Sequence, residues 1–93
     1  MEIEYDPAKR DQVLAERGFD LARCGESFED FHLTRRDDKH SEDEVRFTSV
    51  GMLDDEVVII VWTLRRNLRR IITMWKANDR EKQKFTEARG RLE

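Results

Sequence analysis

The run Val57–Leu64 reads Val-Val-Ile-Ile-Val-Trp-Thr-Leu, and it constrains the fold more than any other segment. β-branched and aromatic side chains pack well on a pleated surface, and an uninterrupted apolar run has no polar face to give to water. The run therefore predicts a central strand buried on both faces. Asp54-Asp55 before it and Arg65-Arg66-Asn67 after it are tight turn signals. They predict antiparallel neighbours at Val45–Val50 and Leu68–Trp75. The run is far shorter than the roughly 18 apolar residues needed to span a bilayer.

The flanks add helices. Glu2–Tyr5 is a short strand candidate. Asp6-Pro7 is an N-cap followed by a proline at the first helical position, and Gly18 is a natural stop, so a helix is expected up to about Arg17. Its apolar residues Ala8, Val13, Leu14 and Ala15 form a weak stripe. Asp20 can cap a second helix carrying Leu21, Cys24 and Phe28 on one side. Phe31–Thr34 is a possible short strand, and Arg35–Glu44 reads as a charged loop. Asn78 with Glu81 makes a capping box for a last helix over about Asp79–Arg91, with Phe85, Ala88 and Leu92 as its apolar stripe. The expected order is β-α-α-β-β-β-α. It describes an α+β domain with a largely antiparallel sheet and helices packed against it.

The chain has 93 residues, enough for one domain, expected to span residues 1–93. Its start, Met-Glu-Ile-Glu-Tyr-Asp, lacks the basic and apolar regions of a signal peptide, so a cytoplasmic location is expected. The single cysteine excludes an internal disulfide and a cysteine-based zinc site. No metal or other cofactor is expected. The formal charge of −3 conceals a dipole. Residues 26–56 hold eleven acids and four bases, whereas residues 65–84 hold eight bases and two acids. An acidic total argues against a general nucleic-acid coat, yet a local basic stretch can still bind phosphate. The plainer reading of both charge runs is a solvated surface.

No P-loop, dinucleotide, zinc-protease, EF-hand or nucleophile-elbow pattern occurs. Cys24 reads as a small core residue and His32 as structural. His40-Ser41-Glu42-Asp43-Glu44-Val45-Arg46 is more suggestive, because it joins an imidazole, carboxylates and a guanidinium at a loop–strand junction. Cleaving an RNA phosphodiester needs a base for the 2′-hydroxyl, an acid for the 5′-oxygen and a cation for the charged transition state. Arg70 and Lys76 lie downstream on the basic segment. On pattern alone a solvated acidic loop remains the commoner outcome.

Four blocks together resemble the BrnT family of bacterial type II toxins. They are Glu4–Lys9; Gly18 with the helix ending Phe28-Glu29-Asp30; His40–Phe47 with Gly51; and Arg70–Thr73 with Lys76-Ala77, Glu81 and Phe85. The resemblance covers about residues 3–86. It implies a RelE-like fold and a metal-independent endoribonuclease that arrests translation. It also implies a ribbon-helix-helix antitoxin that neutralises the toxin and binds operator DNA in complex with it. By position, Lys9, His40, Glu44, Arg46, Arg70 and Lys76 match the family's polar surface. His40, Glu44, Arg46, Arg70 and Lys76 are the catalytic candidates and are expected to converge on one surface. Lys9, Arg69, Trp75 and Arg80 are the RNA-binding candidates. Either His40 or Glu44 could serve as base, and an imidazolium or ammonium as acid. Arg46 and Arg70 suit phosphate, because a guanidinium forks onto two oxygens.

The chain also departs from the family. Val13, Arg17, Leu21, Cys24 and Phe85 stand where Asn, His, Phe, Ala and Tyr are usual. Trp75 stands where Arg is usual, removing a cation beside Lys76. Trp75 could stack on a base, or face the core or a partner. Three function classes follow: an RNA-cleaving toxin, an attenuated member that persists as an antitoxin-binding co-repressor, and an unrelated interaction domain.

Overall fold

A computed structural model describes residues 1–38 and 44–92. Strand β1 (Ile3–Tyr5) leads into helix α1 (Pro7–Arg17). The Asp6 carboxylate caps α1 by accepting from the Ala8 N–H, and Gly18 ends it at φ 77°. That left-handed geometry suits glycine, which has no Cβ to clash. A 3-10 turn at Leu21–Arg23 runs directly into α2 (Cys24–Glu29). The expected second helix is thus one turn of tighter winding followed by a short α-helix. Strands β2 (Leu33–Asp37), β3 (Arg46–Leu53), β4 (Glu56–Arg65) and β5 (Leu68–Lys76) follow, and α3 (Asp79–Gly90) closes the chain.

The five strands form one sheet in the order β1-β5-β4-β3-β2. The β1–β5 pair is parallel and the other three are antiparallel. The α+β class and the central position of Val57–Leu64, within β4, agree with the sequence. The element order does not. It contains an additional strand, β2, in a region read largely as loop. Thr34-Arg35-Arg36-Asp37 carries no apolar alternation, and β2 is held by its backbone ladder to β3. Both hairpin loops, Asp54-Asp55 and Arg66-Asn67, have positive φ at both residues. That mirror-image turn matches the twist of the strands it joins.

Each face of the sheet has its own core. On one, α1, the 3-10 turn and α2 bury Val13, Leu21 and Cys24 against Val58, Ile60, Trp62, Ile71 and Met74. Gly51 lets α2 approach, since an added Cβ there would lie 3.2 Å from the Ser27 Cβ. On the other, α3 packs Phe85 against Val57, Ile59 and Ala77, with Trp75 beside them. The α3 stripe is narrower than its sequence suggests: Phe85 is buried, whereas Leu92 is exposed beyond the helix. On α1 only Val13 is buried. The second face is therefore capped by one helix at one end.

Candidate functional site

The face capped by α3 carries the clearest arrangement of charge. Directly paired residues on neighbouring strands point to the same face of a sheet. Thr63 of β4 pairs with Arg46 of β3 on one side and with Arg70 of β5 on the other. Arg70 pairs in turn with Glu4 of β1, and Arg46 with Asp37 of β2. One row therefore crosses all five strands as Glu4, Arg70, Thr63, Arg46 and Asp37. Strand spacing sets the two arginine backbones about 9–10 Å apart. Between them lies Thr63, only 2% exposed, whose hydroxyl donates to the Val45 carbonyl.

Carboxylates flank both guanidiniums. Arg70 Nη1 lies 3.6 Å from Glu4 Oε1. Glu44 lies 4.0 Å from Arg46 Nε and 3.5 Å from Arg65 Nη2. These contacts are longer than charge-assisted hydrogen bonds, which span about 2.7–2.9 Å. By contrast, Arg10 grips Asp20 at 2.6 and 2.9 Å, and Arg23 grips Asp54 at 2.6 and 2.7 Å. The tight pairs brace the fold on the opposite side. The longer ones lie on the face that carries Arg46 and Arg70.

The structure thus brings together Glu44, Arg46 and Arg70. It does not bring Lys76 to them. Lys76 pairs with Val58, whose side chain lies in the core beneath α1 and α2, and its Nζ meets Glu56 Oε2 at 3.3 Å. The expected convergence of five residues therefore fails at Lys76. A register irregularity at Val61/Trp62 places one additional residue, Ile72, in β5 between Arg70 and the strand's far end. Because of it, Arg70 and Lys76, six positions apart, do not share a face as simple alternation requires. His40 lies outside the described residues.

The RNA-binding candidates also divide. Lys9 is on α1, across the sheet. Arg69 alternates with Arg70 and lies on the same far side, its guanidinium 4.0 Å above the Phe28 ring and 5.0 Å from Trp62. Burial lowers its pKa. Trp75 is half-buried and packs against the α3 core. Arg80 is exposed in the first turn of α3. Glu4, Asp37 and Arg65 join the site although none of them is among the candidate site residues of the sequence. The sign match of Glu4 with Arg70 becomes visible only once β1 pairs with β5.

Among the described residues, no group of three or more His, Cys, Asp or Glu is arranged to hold a metal ion. None of their helices is long and apolar enough to cross a membrane. Cys24 is fully buried, with Sγ 3.8 Å from the Met74 sulfur, and burial pushes its thiol up to about 12. It is a core residue.

In this small α+β domain two arginines flank a buried threonine on one sheet face, and a guanidinium can fork onto two phosphate oxygens. The chain belongs to the BrnT family: the family pattern described as "Ribonuclease toxin, BrnT, of type II toxin-antitoxin system" matches residues 5–81. Membership implies an antitoxin protein as partner. No curated protein matches the chain.

Proposed function

We propose that this chain is a metal-independent endoribonuclease with a RelE-like fold, and that it cuts RNA on the face carrying Arg46 and Arg70. The single observation behind this reading is the row in which Arg46 and Arg70 pair with Thr63 from its two sides. A phosphodiester bound between the Arg46 and Arg70 side chains receives a cation from each side. The 2′-oxygen attacks phosphorus, its proton passing to a base. The bond to the 5′-oxygen breaks, and that oxygen takes up a proton. Arg46 and Arg70 stabilise the charge on the non-bridging oxygens as it grows. Glu44, held between Arg46 and Arg65, and His40 are the base and acid candidates. Cleavage in the cytoplasm arrests translation. A ribbon-helix-helix antitoxin neutralises the toxin by covering part of this surface, and operator DNA is reached only through that antitoxin.

The test is induced expression with RNA analysis, alone and with the antitoxin. Wild type is expected to arrest growth and cut RNA. Arg46→Ala and Arg70→Ala should each lower cleavage about a hundredfold to a thousandfold, the usual effect of removing one transition-state donor. Wild-type cleavage by both variants would refute the site.

One observation favours a weaker second reading. Trp75 occupies the usual place of an arginine and is half-buried against the α3 core, while Lys76 is held on the other face. A site left with two cations suits an attenuated member that serves as an antitoxin-binding co-repressor. Tight antitoxin binding without RNA cuts or growth arrest would establish that alternative.

A further inference from the structure

The row of arginines does not end in open sheet. One pleat repeat from Arg46, about 7 Å along β3, lies Thr48, and the next repeat is Val50. There a groove of about 340 Å³ opens between β2, β3 and α3. Leu33, Val50 and Ile59 form its apolar floor, and Thr48, Glu81 and Lys84 line its sides. Its volume lies at the lower end of ligand pockets, roughly 300–1,000 Å³. Lys84 and the adjacent Arg35 are exposed cations on its rim.

We infer that this groove is a nucleobase subsite, holding the base next to the phosphate that Arg46 and Arg70 bind. The inference rests on the proposed RNA-cleaving face and adds sequence preference to it. Three observations choose a nucleobase as occupant. The groove is continuous with the cationic row through Thr48, so a nucleotide whose phosphate sits at Arg46 has its base within reach. Its lining joins apolar Leu33, Val50, Ile59 and Phe85 to polar Thr48 and Glu81, which suits an aromatic ring read at its edge. Its rim cations lie where the next phosphates of the strand would pass.

The edge groups also specify which bases fit. Glu81 Oε1 accepts from the Asn78 N–H in the α3 cap, which leaves Oε2 as an acceptor at the groove. The Thr48 hydroxyl has no protein hydrogen-bond partner among the described residues. A carboxylate accepts from an exocyclic amino group, as glutamate does from cytosine N4, and repels a carbonyl oxygen. Cytosine and adenine should therefore be preferred over uracil.

The experiment titrates the full chain with 2′-O-methyl tetranucleotides of C, A or U, which cannot be cut, and follows backbone amides by NMR. Amides of Leu33, Thr48, Val50 and Glu81 should shift together with those of Arg46 and Arg70. The C and A oligomers should bind roughly tenfold tighter than U. Thr48→Trp, which fills the groove, should remove the groove shifts and the base preference. Glu81→Gln keeps an amide oxygen for the helix cap and should flatten the preference. Shifts at Arg46 and Arg70 with none in the groove would overturn the subsite and leave the RNA reading intact. So would equal affinities for the three oligomers. Shifts at neither place would overturn both. Groove shifts caused by the antitoxin and not by any oligomer would assign the groove to the protein partner and also overturn the inference.

Discussion

Trp75 illustrates how one position changes meaning once its surroundings are known. In the sequence it stands where the family's arginine would add a cation. In the fold it packs beside Val57, Ile59, Ala77 and Phe85. Trp75→Arg should therefore not restore a catalytic cation. It should replace the apolar contacts of a half-buried ring with a charge and cost about 0.5–3 kcal/mol, read as a lower melting temperature. Asp20 makes the opposite point about charge. The Arg10 guanidinium, bound through two hydrogen bonds, holds its carboxyl down at about 2, well below the unfolded value. A depressed carboxylate stabilises the fold above its unfolded pKa, and this contribution disappears as pH falls through the folded one. Melting temperature should drop between about pH 4 and pH 2. Asp20→Asn, which can still cap Ala22, should flatten that part of the curve. Cys24 should resist alkylation at pH 8 until the protein unfolds, because its buried thiol titrates near 12.

At the scale of elements, termini and turns follow from the local sequence more closely than faces do. The Asp6, Gly18 and Asn78–Glu81 signals act within one turn of chain, and all three appear as expected. Asn78→Ala should cost about 1 kcal/mol by removing the side-chain acceptor for the Glu81 N–H, a loss visible in chemical denaturation. The sequence suggests only the start of β2, at Phe31–Thr34, because Arg35-Arg36-Asp37 carries no apolar alternation; the ladder to β3 carries the strand on to Asp37. The face assigned to Lys76 escaped notice because a single additional residue in β5 shifts every position beyond it. Arg70 was the converse case. Its alternation with Ile72 and Met74 suggested an apolar face, and the same irregularity places it beside Thr63 on the open one.

Across the whole molecule, β4 is the element on which both cores depend. It is paired on both sides and buried on both faces. Its central amides should be the slowest to exchange with deuterium, opening only with global unfolding, and those of the edge strand β2 should be among the fastest. The loose Glu4–Arg70 and Glu44–Arg65 pairs have a second consequence at this scale. If an acidic antitoxin replaces these carboxylates, the complex should weaken steadily as salt rises. Affinity insensitive to salt would point to an apolar contact surface.

Much of the architecture follows from local chemistry in the chain. Val57–Thr63 has only apolar, β-branched or hydroxyl-bearing side chains around Trp62 and is interior, whereas Leu64, the last apolar residue of the run, is 52% exposed. Asp54-Asp55 and Arg66-Asn67 had to return the chain in two residues. Asp6-Pro7, Gly18 and Asn78 had to bound helices. The residues Glu44, Arg46 and Arg70 could be selected by type and by family resemblance. Their meeting could not be read from the chain, because pairing between distant strands sets it. Arg46, Thr63 and Arg70 become neighbours through β3–β4–β5 register, and Glu4 joins them only through a parallel pair formed across more than sixty intervening residues. The face on which each charge emerges depends on that register to the single residue. Nothing local in the sequence encodes a register that a bulge in the middle of β5 resets.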